Sequence, residues 1–290
     1  MEKKGRASQK YKKRSTFMSI WQQLRKNKGA IMGLILLVVI IVVALASPYI
    51  FDYDTQVIAN NIKERMQPPS AEHWFGTDDL GRDLFARVFQ GGRVSLTIGI
   101  VGAVVASVVG SIYGGIASYF GGIVDDIMMR IVEVLLSIPY LLTVILISVV
   151  TDSKSIGTMM LALVGIARLV RGQMLQLKSQ EYILAANALG VSPIKTIMRH
   201  MIPNTLGMII VAITFDIPGY IFSEAFLSYV GLGVQPPDTS WGALASAAQQ
   251  NFMFYPYQLF FPSLMIALTM LGFTLLGDGL RDALDPKLRK

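Results

Sequence analysis

Val94–Val124 reads VSLTIGIVGAVVASVVGSIYGGIASYFGGIV, without one acidic, basic or histidine residue. About 20 apolar residues in a helix cross a bilayer, so this stretch is long enough to span one. Its small residues are ordered. Gly102, Ala106, Gly110, Gly114 and Ser118 recur at every fourth position, beside a parallel row of Gly99, Ala103, Ser107, Ser111 and Gly115. Small residues at that spacing let helix backbones approach closely, which is how helices associate where lipid gives them no hydrophobic driving force. The stretch predicts a central span of a packed bundle, with Gly102, Ala106, Gly110 and Gly114 at helix contacts.

Outward from it, charge-free runs of similar length cover Gly29–Phe51, Val134–Thr151 and Thr239–Gly277. Two further runs are less clean. Ser155–Ala167 is short, but Arg168 and Arg171 at its end can snorkel to headgroups; Asn204–Val234 carries Asp216 and Glu224, acidic residues that a span tolerates when they face a cavity or the bundle. The count is six spans in an all-α integral membrane protein. Composition agrees: of 290 residues 53% are hydrophobic and 16% charged, and the mean hydropathy is +0.52.

The same composition excludes several chemistries. With no cysteine there are neither disulfides nor thiolate metal sites, and His73 and His200 alone cannot build a His-rich metal centre. No Ser/His/Asp arrangement and no Gly-x-x-x-x-Gly-Lys-Ser/Thr phosphate loop occurs, so neither a catalytic residue nor a nucleotide site is expected in this chain.

Basic residues set the expected orientation. The first 28 residues hold ten Lys and Arg, and a terminus that basic stays in the cytoplasm. Threading six spans from there puts twenty of the 26 Lys and Arg inside, and both termini with them. The excess of +7 then sits in flanks that face anionic lipid, not nucleic acid. The resulting division is a basic tail (1–28), a first transmembrane helix (29–50), an outer loop with an interfacial helix (51–93), a core of five helices (94–281) that includes a connecting loop (172–204), and a second tail (282–290). In the outer loop, Thr77 can cap a helix with Leu80, Leu84 and Val88 on one face, widened by Phe85 and Phe89. Asp78, Asp79 and Asp83 read as carboxylates at that helix's N-terminus and on its solvated face rather than as a metal cluster.

The connecting loop contains Glu181-Tyr-Ile-Leu-Ala-Ala-Asn-Ala-Leu-Gly190-Val-Ser-Pro-Ile-Lys-Thr-Ile-Met-Arg-His-Met-Ile-Pro203-Asn204. It predicts helix, turn, helix. Gly190 suits a left-handed cap, Ser192 the N-cap of the second helix, Pro193 its first turn, and Pro203 its end or a kink into the next span. Ile194, Ile197, Met198 and Met201 share one face of that second helix. Two readings stand for the face: packing on the protein's own spans, or docking on a partner.

The loop resembles the cytoplasmic loop of ABC importer permeases, whose pattern is Glu-Ala-Ala, three residues, Gly, nine residues, Ile, any residue, Leu-Pro. Aligned on Gly190, Ala185 and Ala186 fall on the alanines and Pro203 on the proline, while Leu184, His200 and Ile202 depart from it. Ala185–Gly190 and Arg199–Asn204 fit the peptide and nickel branch more closely. So do Phe75-Gly-Thr-Asp-Asp-Leu-Gly-Arg-Asp83, Leu227-Ser-Tyr-Val-Gly-Leu-Gly-Val-Gln-Pro-Pro237 and Ser240-Trp-Gly242. As an ordered set they resemble the C-type permease of dipeptide, oligopeptide and nickel importers.

The resemblance implies a type I importer fold in a prokaryotic cell membrane. It further implies a B-type permease partner, an extracellular solute-binding protein and two ATPase subunits that hold the ATP and magnesium, with no cofactor on this chain. The loop residues Ala185, Ala186, Gly190, Ile194, Ile197, Met198, Met201 and Pro203 would couple to the ATPases. Asp216 and Glu224 stand as residues of the translocation path or as structural pairs. Nickel or a metal chelate stays open as cargo beside peptides, and a stand-alone secondary transporter or channel as the rival of another class.

Overall fold

The computed structural model describes residues 16–139, 142, 145, 146, 150 and 165–284. Ten α-helices occur among them: α1 (Thr16–Leu24), α2 (Lys28–Ile50), α3 (Leu84–Phe120), α4 (Gly122–Ser137), α5 (Gly165–Lys178), α6 (Glu181–Ala188), α7 (Pro193–Thr196), α8 (Ile202–Tyr229), α9 (Trp241–Ala248) and α10 (Tyr257–Leu284). A π turn over Ile197–Met201 joins α7 to α8, so Pro193–Tyr229 runs as one helical rod. Among the described residues the only β feature is an isolated bridge between Thr77 and Asp83.

Among the described residues four helices are long and apolar enough to cross a membrane: Lys28–Ile50, Leu84–Phe120, Pro193–Tyr229 and Tyr257–Leu284. Of the expected third and fourth spans, eight of the 18 residues of Val134–Thr151 and ten of the 13 of Ser155–Ala167 lie outside the described residues. The expected sixth span needs correction. Thr239–Gly277 is not one helix but a short α9, a break through Gln249–Pro256, and then α10, which continues past the expected boundary at 281 to Leu284.

In α2 the buried residues are Ala30, Gly33, Leu37, Ile40, Ala44 and Ser47, alternating three and four apart, while Met32, Ile35, Val38, Val39, Val42 and Leu45 are exposed. That is one seam on an otherwise lipid-facing rod, and it lies on α10. The backbones nearly touch there: a Cβ on Gly33 would sit 2.7 Å from the Gly272 carbonyl oxygen.

The small-residue face of α3 divides between two neighbours. Cβ atoms added at Gly99 and Gly102 would meet Ile221 and Tyr220 of α8 at 2.6 Å. Lower down, one on Gly110 would meet the Ala167 nitrogen of α5 at 2.9 Å, and one on Gly114 would collide with the Ala167 carbonyl oxygen. Ala106 is buried between these zones. Helix α3 is thus the hub, and the spacing of its glycines is the record of two helix crossings.

The region before α3 departs from expectation. The helix does not start at Thr77: Leu84, Phe85, Val88 and Phe89 belong to α3, which runs unbroken from Leu84, and the loop before it holds a π turn over Tyr53–Ile58 and a 3-10 turn over Ile62–Glu64. Asp83 is its cap, accepting from the Ala86 N–H at 2.9 Å. Thr77 is committed elsewhere: its hydroxyl accepts from the Gln67 N–H at 2.8 Å and donates to the Glu64 carbonyl. Gly81, at φ +77°, holds the intervening turn against the Asn61 carbonyl, where a side chain has no room.

Asp78 organises the turn. It accepts from the N–H groups of Leu80 (2.9 Å) and Arg82 (3.0 Å), from Arg82 Nε (2.7 Å) and from the buried Arg87. Tyr257 and Gln258 of α10 each donate to the Thr77 carbonyl at 3.0 Å, and Phe75 stacks on Phe261 at 3.8 Å. The Phe75–Asp83 motif is therefore a knot that ties the 51–83 loop to α3 and α10. Among the described residues no metal-holding acidic or histidine cluster forms.

Candidate functional site

Helices α6 and α7 form a hairpin at one end of the bundle. Gly190 turns the chain at φ +73°, with the Leu189 N–H bonded to the Ala185 carbonyl and the Val191 N–H to the Ala186 carbonyl, at 3.0 and 3.1 Å. Ser192 stands at the N-cap in extended backbone without a side-chain bond, and Pro193 fills the first turn. Pro203 does not end this helix. The π turn before it absorbs the strain of an imide ring that would otherwise clash with the preceding turn, and the rod continues.

The four-residue apolar face is split. At 100° per residue, Ile197 and Met201 lie on one flank and Ile194 and Met198 on the other. The first flank turns inward onto Ile166, Val170, Met174 and Ile183, and Ile197 and Met201 are 2% and 0% exposed. The second flank faces out, with Ile194 72% and Met198 49% exposed. Helix α6 does the same: Ile183 and Ala186 are buried, while Ala185 and Leu184 are exposed, and Leu189 at the tip is 84% exposed. The expected single face is thus an anchor and a rim, and the rim includes Leu184 and Leu189, which the motif reading had not marked as contacts. Leu184 lies on the side of the helix away from Ile183 and Ala186, and Leu189 stands past its end as the C-cap.

The hairpin is tied to the bundle. Tyr119 at the end of α3 donates to Asn187 at 3.1 Å, Lys178 donates to the Ser118 carbonyl at 3.3 Å, and Arg171 pairs through both ends of its guanidinium with Asp125 of α4.

Asp216 and Glu224 sit two turns apart on α8 in opposite circumstances. Asp216 lines a cavity of about 360 Å³ between α3, α5 and α8, with Ala106, Ile166, Leu169, Phe215 and Tyr220 as its main walls. Glu224 does not share that cavity. It is 1% exposed and accepts from three hydroxyls: Ser95 (2.9 Å), Ser228 (2.7 Å) and Ser240 (2.6 Å). Ser95 also accepts from the Trp241 N–H, Ser240 from the Ala243 N–H, and the Trp241 indole donates to the Val88 carbonyl at 2.8 Å. Glu224 thereby pins α3, α8 and α9 at a single carboxyl.

Residues 106–290 match the family model described as binding-protein-dependent transport system inner membrane component. The chain belongs to that family. Residues 15–69 of the permease also match the N-terminal TM domain of oligopeptide transport permease C. The permease is 47% identical to the dipeptide transport system permease protein of Bacillus subtilis (strain 168) over 93% of its own length and 85% of the relative's. It is also 47% identical to the oligopeptide transport system permease protein of the same strain, over 94% and 92% of the two chains. The oligopeptide permease of Haemophilus influenzae is 41% identical, over 93% and 90%. The permease is a transport subunit and not a catalyst, and its apolar helices are those of a membrane protein.

Proposed function

We propose that this permease is the C-type subunit of an ATP-driven peptide importer in a prokaryotic plasma membrane, with both termini in the cytoplasm. It forms the passage with a B-type permease, receives di- or oligopeptides from an extracellular binding protein, and takes its driving force from two cytoplasmic ATPase subunits that hold ATP and magnesium. The cargo class rests on the relatives, whose names specify dipeptides and oligopeptides. The observation that carries the coupling is the divided hairpin. Its rim of Leu184, Leu189, Ile194 and Met198 lies exposed, while Ile197 and Met201 lock the other flank into the bundle. A rim of that kind fits a groove on an ATPase, and the anchored flank hands its displacement to α8.

The test is uptake of labelled di- to hexapeptides by cells lacking the permease, with and without its restoration, repeated after ATP depletion. Loss and rescue that depend on ATP are expected. Uptake that persists through ATP depletion refutes the coupled importer and favours a stand-alone transporter, and loss of nickel accumulation alone moves the cargo to metal. Within the coupled system, Gly190→Arg places a large cation at a left-handed position with open space around it. It should leave the complex assembled in the membrane and reduce uptake per ATP hydrolysed at least tenfold.

A further inference from the structure

The two acidic residues of α8 pose a question that only one of them answers within the chain. A carboxyl group at membrane depth is costly and is retained where something compensates it. Glu224 is compensated by three serine hydroxyls. Among the described residues Asp216 has neither an ion pair nor a hydrogen bond, and no other carboxylate and no cationic side chain lines its cavity. The rest of the lining is largely apolar, with Ile166 and Leu169 from α5, Ala106 from α3 and Phe215 and Tyr220 beside Asp216 itself.

We infer that the Asp216 carboxylate is a way-station for the α-ammonium end of a peptide in transit, a binding site on the permease distinct from the binding protein. This rests on the peptide-importer reading. Every unmodified peptide carries the same ammonium whatever its side chains, so one carboxylate in apolar surroundings grips the backbone terminus without selecting sequence. At about 360 Å³ the cavity is at the small end of ligand pockets and takes one end of a peptide, not its whole length. A metal cation fits less well. One carboxylate among apolar walls falls far short of the six or more oxygens that a hard cation collects, and no group of three acidic or histidine ligands forms among the described residues.

The experiment uses the complete transporter with its binding protein in proteoliposomes. Because the chain has no cysteine, Leu169→Cys places a single thiol on the cavity wall, and labelling of this chain is read by mass spectrometry. With Asp216 intact, the cationic trimethylammonium-ethyl methanethiosulfonate should outpace the anionic sulfonatoethyl reagent by about tenfold more than in the Asp216→Asn background. One unit charge acting over about 6 Å on probes of opposite sign in a water-like medium has an effect of that size.

Uptake of labelled trialanine from saturating loaded binding protein should fall at least fivefold in Asp216→Asn while loaded binding protein still stimulates ATP hydrolysis. Asp216→Glu should restore most of it. An unchanged reagent ratio, or unchanged trialanine uptake in Asp216→Asn beside an active wild type, overturns the way-station. A wild-type transporter that moves no peptide overturns the importer reading and the way-station together.

Discussion

Replacing Gly114 by alanine puts a methyl group where nothing can yield. The new Cβ would lie 2.9 Å from the Arg171 nitrogen and closer still to the Ala167 carbonyl oxygen, both backbone atoms of α5. Ordinary contact therefore requires α3 and α5 to part, which loosens the neighbouring contacts at Gly110 and Gly115 as well. Overpacking costs about 1–3 kcal/mol, and an obstacle made of backbone belongs at the upper end. Alanine's better helix propensity returns about 1 kcal/mol, leaving a net loss of about 2 kcal/mol. At Gly102 the obstacle is the ring of Tyr220, 2.6 Å away, which can tilt, so the net loss there is about 0–1 kcal/mol. Gly172 has nothing within 4 Å, and its alanine variant gains up to about 1 kcal/mol. Thermal unfolding of the detergent-solubilised transporter should rank Gly172→Ala at or above the parent, Gly102→Ala slightly below it and Gly114→Ala lowest. A Gly114→Ala variant as stable as the parent would refute the two-crossing account of α3.

Other perturbations separate the knots from the working surfaces. Glu224→Ala strands three hydroxyls; at about 0.6–1.5 kcal/mol per bond it should cost about 1.8–4.5 kcal/mol in the same unfolding assay, and Glu224→Gln, which keeps one acceptor oxygen, distinctly less. Asp78→Ala leaves the buried Arg87 without its carboxylate and should cost about 3 kcal/mol or more, while the paired change Asp78→Leu with Arg87→Met should recover only part of that, because the Leu80 and Arg82 N–H groups still lose their acceptor. Ile197→Ala should lower stability by about 2–4 kcal/mol, measured by chemical denaturation. Ile194→Ser should leave stability within about 0.5 kcal/mol of the parent and instead weaken ATP-linked uptake.

Some of this architecture is written locally in the chain and some is not. The four spans seen among the described residues are legible because lipid forbids charge, and the crossings of α3 because backbone contact demands small residues at fixed spacing. Gly190 is legible because a left-handed turn between two helical segments selects glycine. The start of α3 is not, since Thr77 and Asp83 are both good caps. The choice is made by Glu64, Gln67 and Asn61, which the local pattern around the helix cannot display. The break inside Thr239–Gly277 escapes a search for charge because none of its residues, Gln249 to Pro256, is ionic. The division of the hairpin face depends on where Met174 and Ile183 lie, and the role of Glu224 on Ser95, 129 positions away. Both are facts of tertiary packing.

The unbroken rod from Pro193 to Tyr229 has a mechanical consequence. Its 37 residues carry the exposed Ile194 and Met198 at one end, Asp216 along its length and the serine-bound Glu224 near the other. At 1.5 Å per residue it is about 55 Å long. Swung by about 5° around its midpoint, such a beam moves its two ends by about 2.4 Å in opposite directions. A push on the hairpin therefore reaches the Ser95–Glu224–Ser240 clasp with its sense reversed, so a single stiff helix is enough to open one mouth of a passage as it shuts the other.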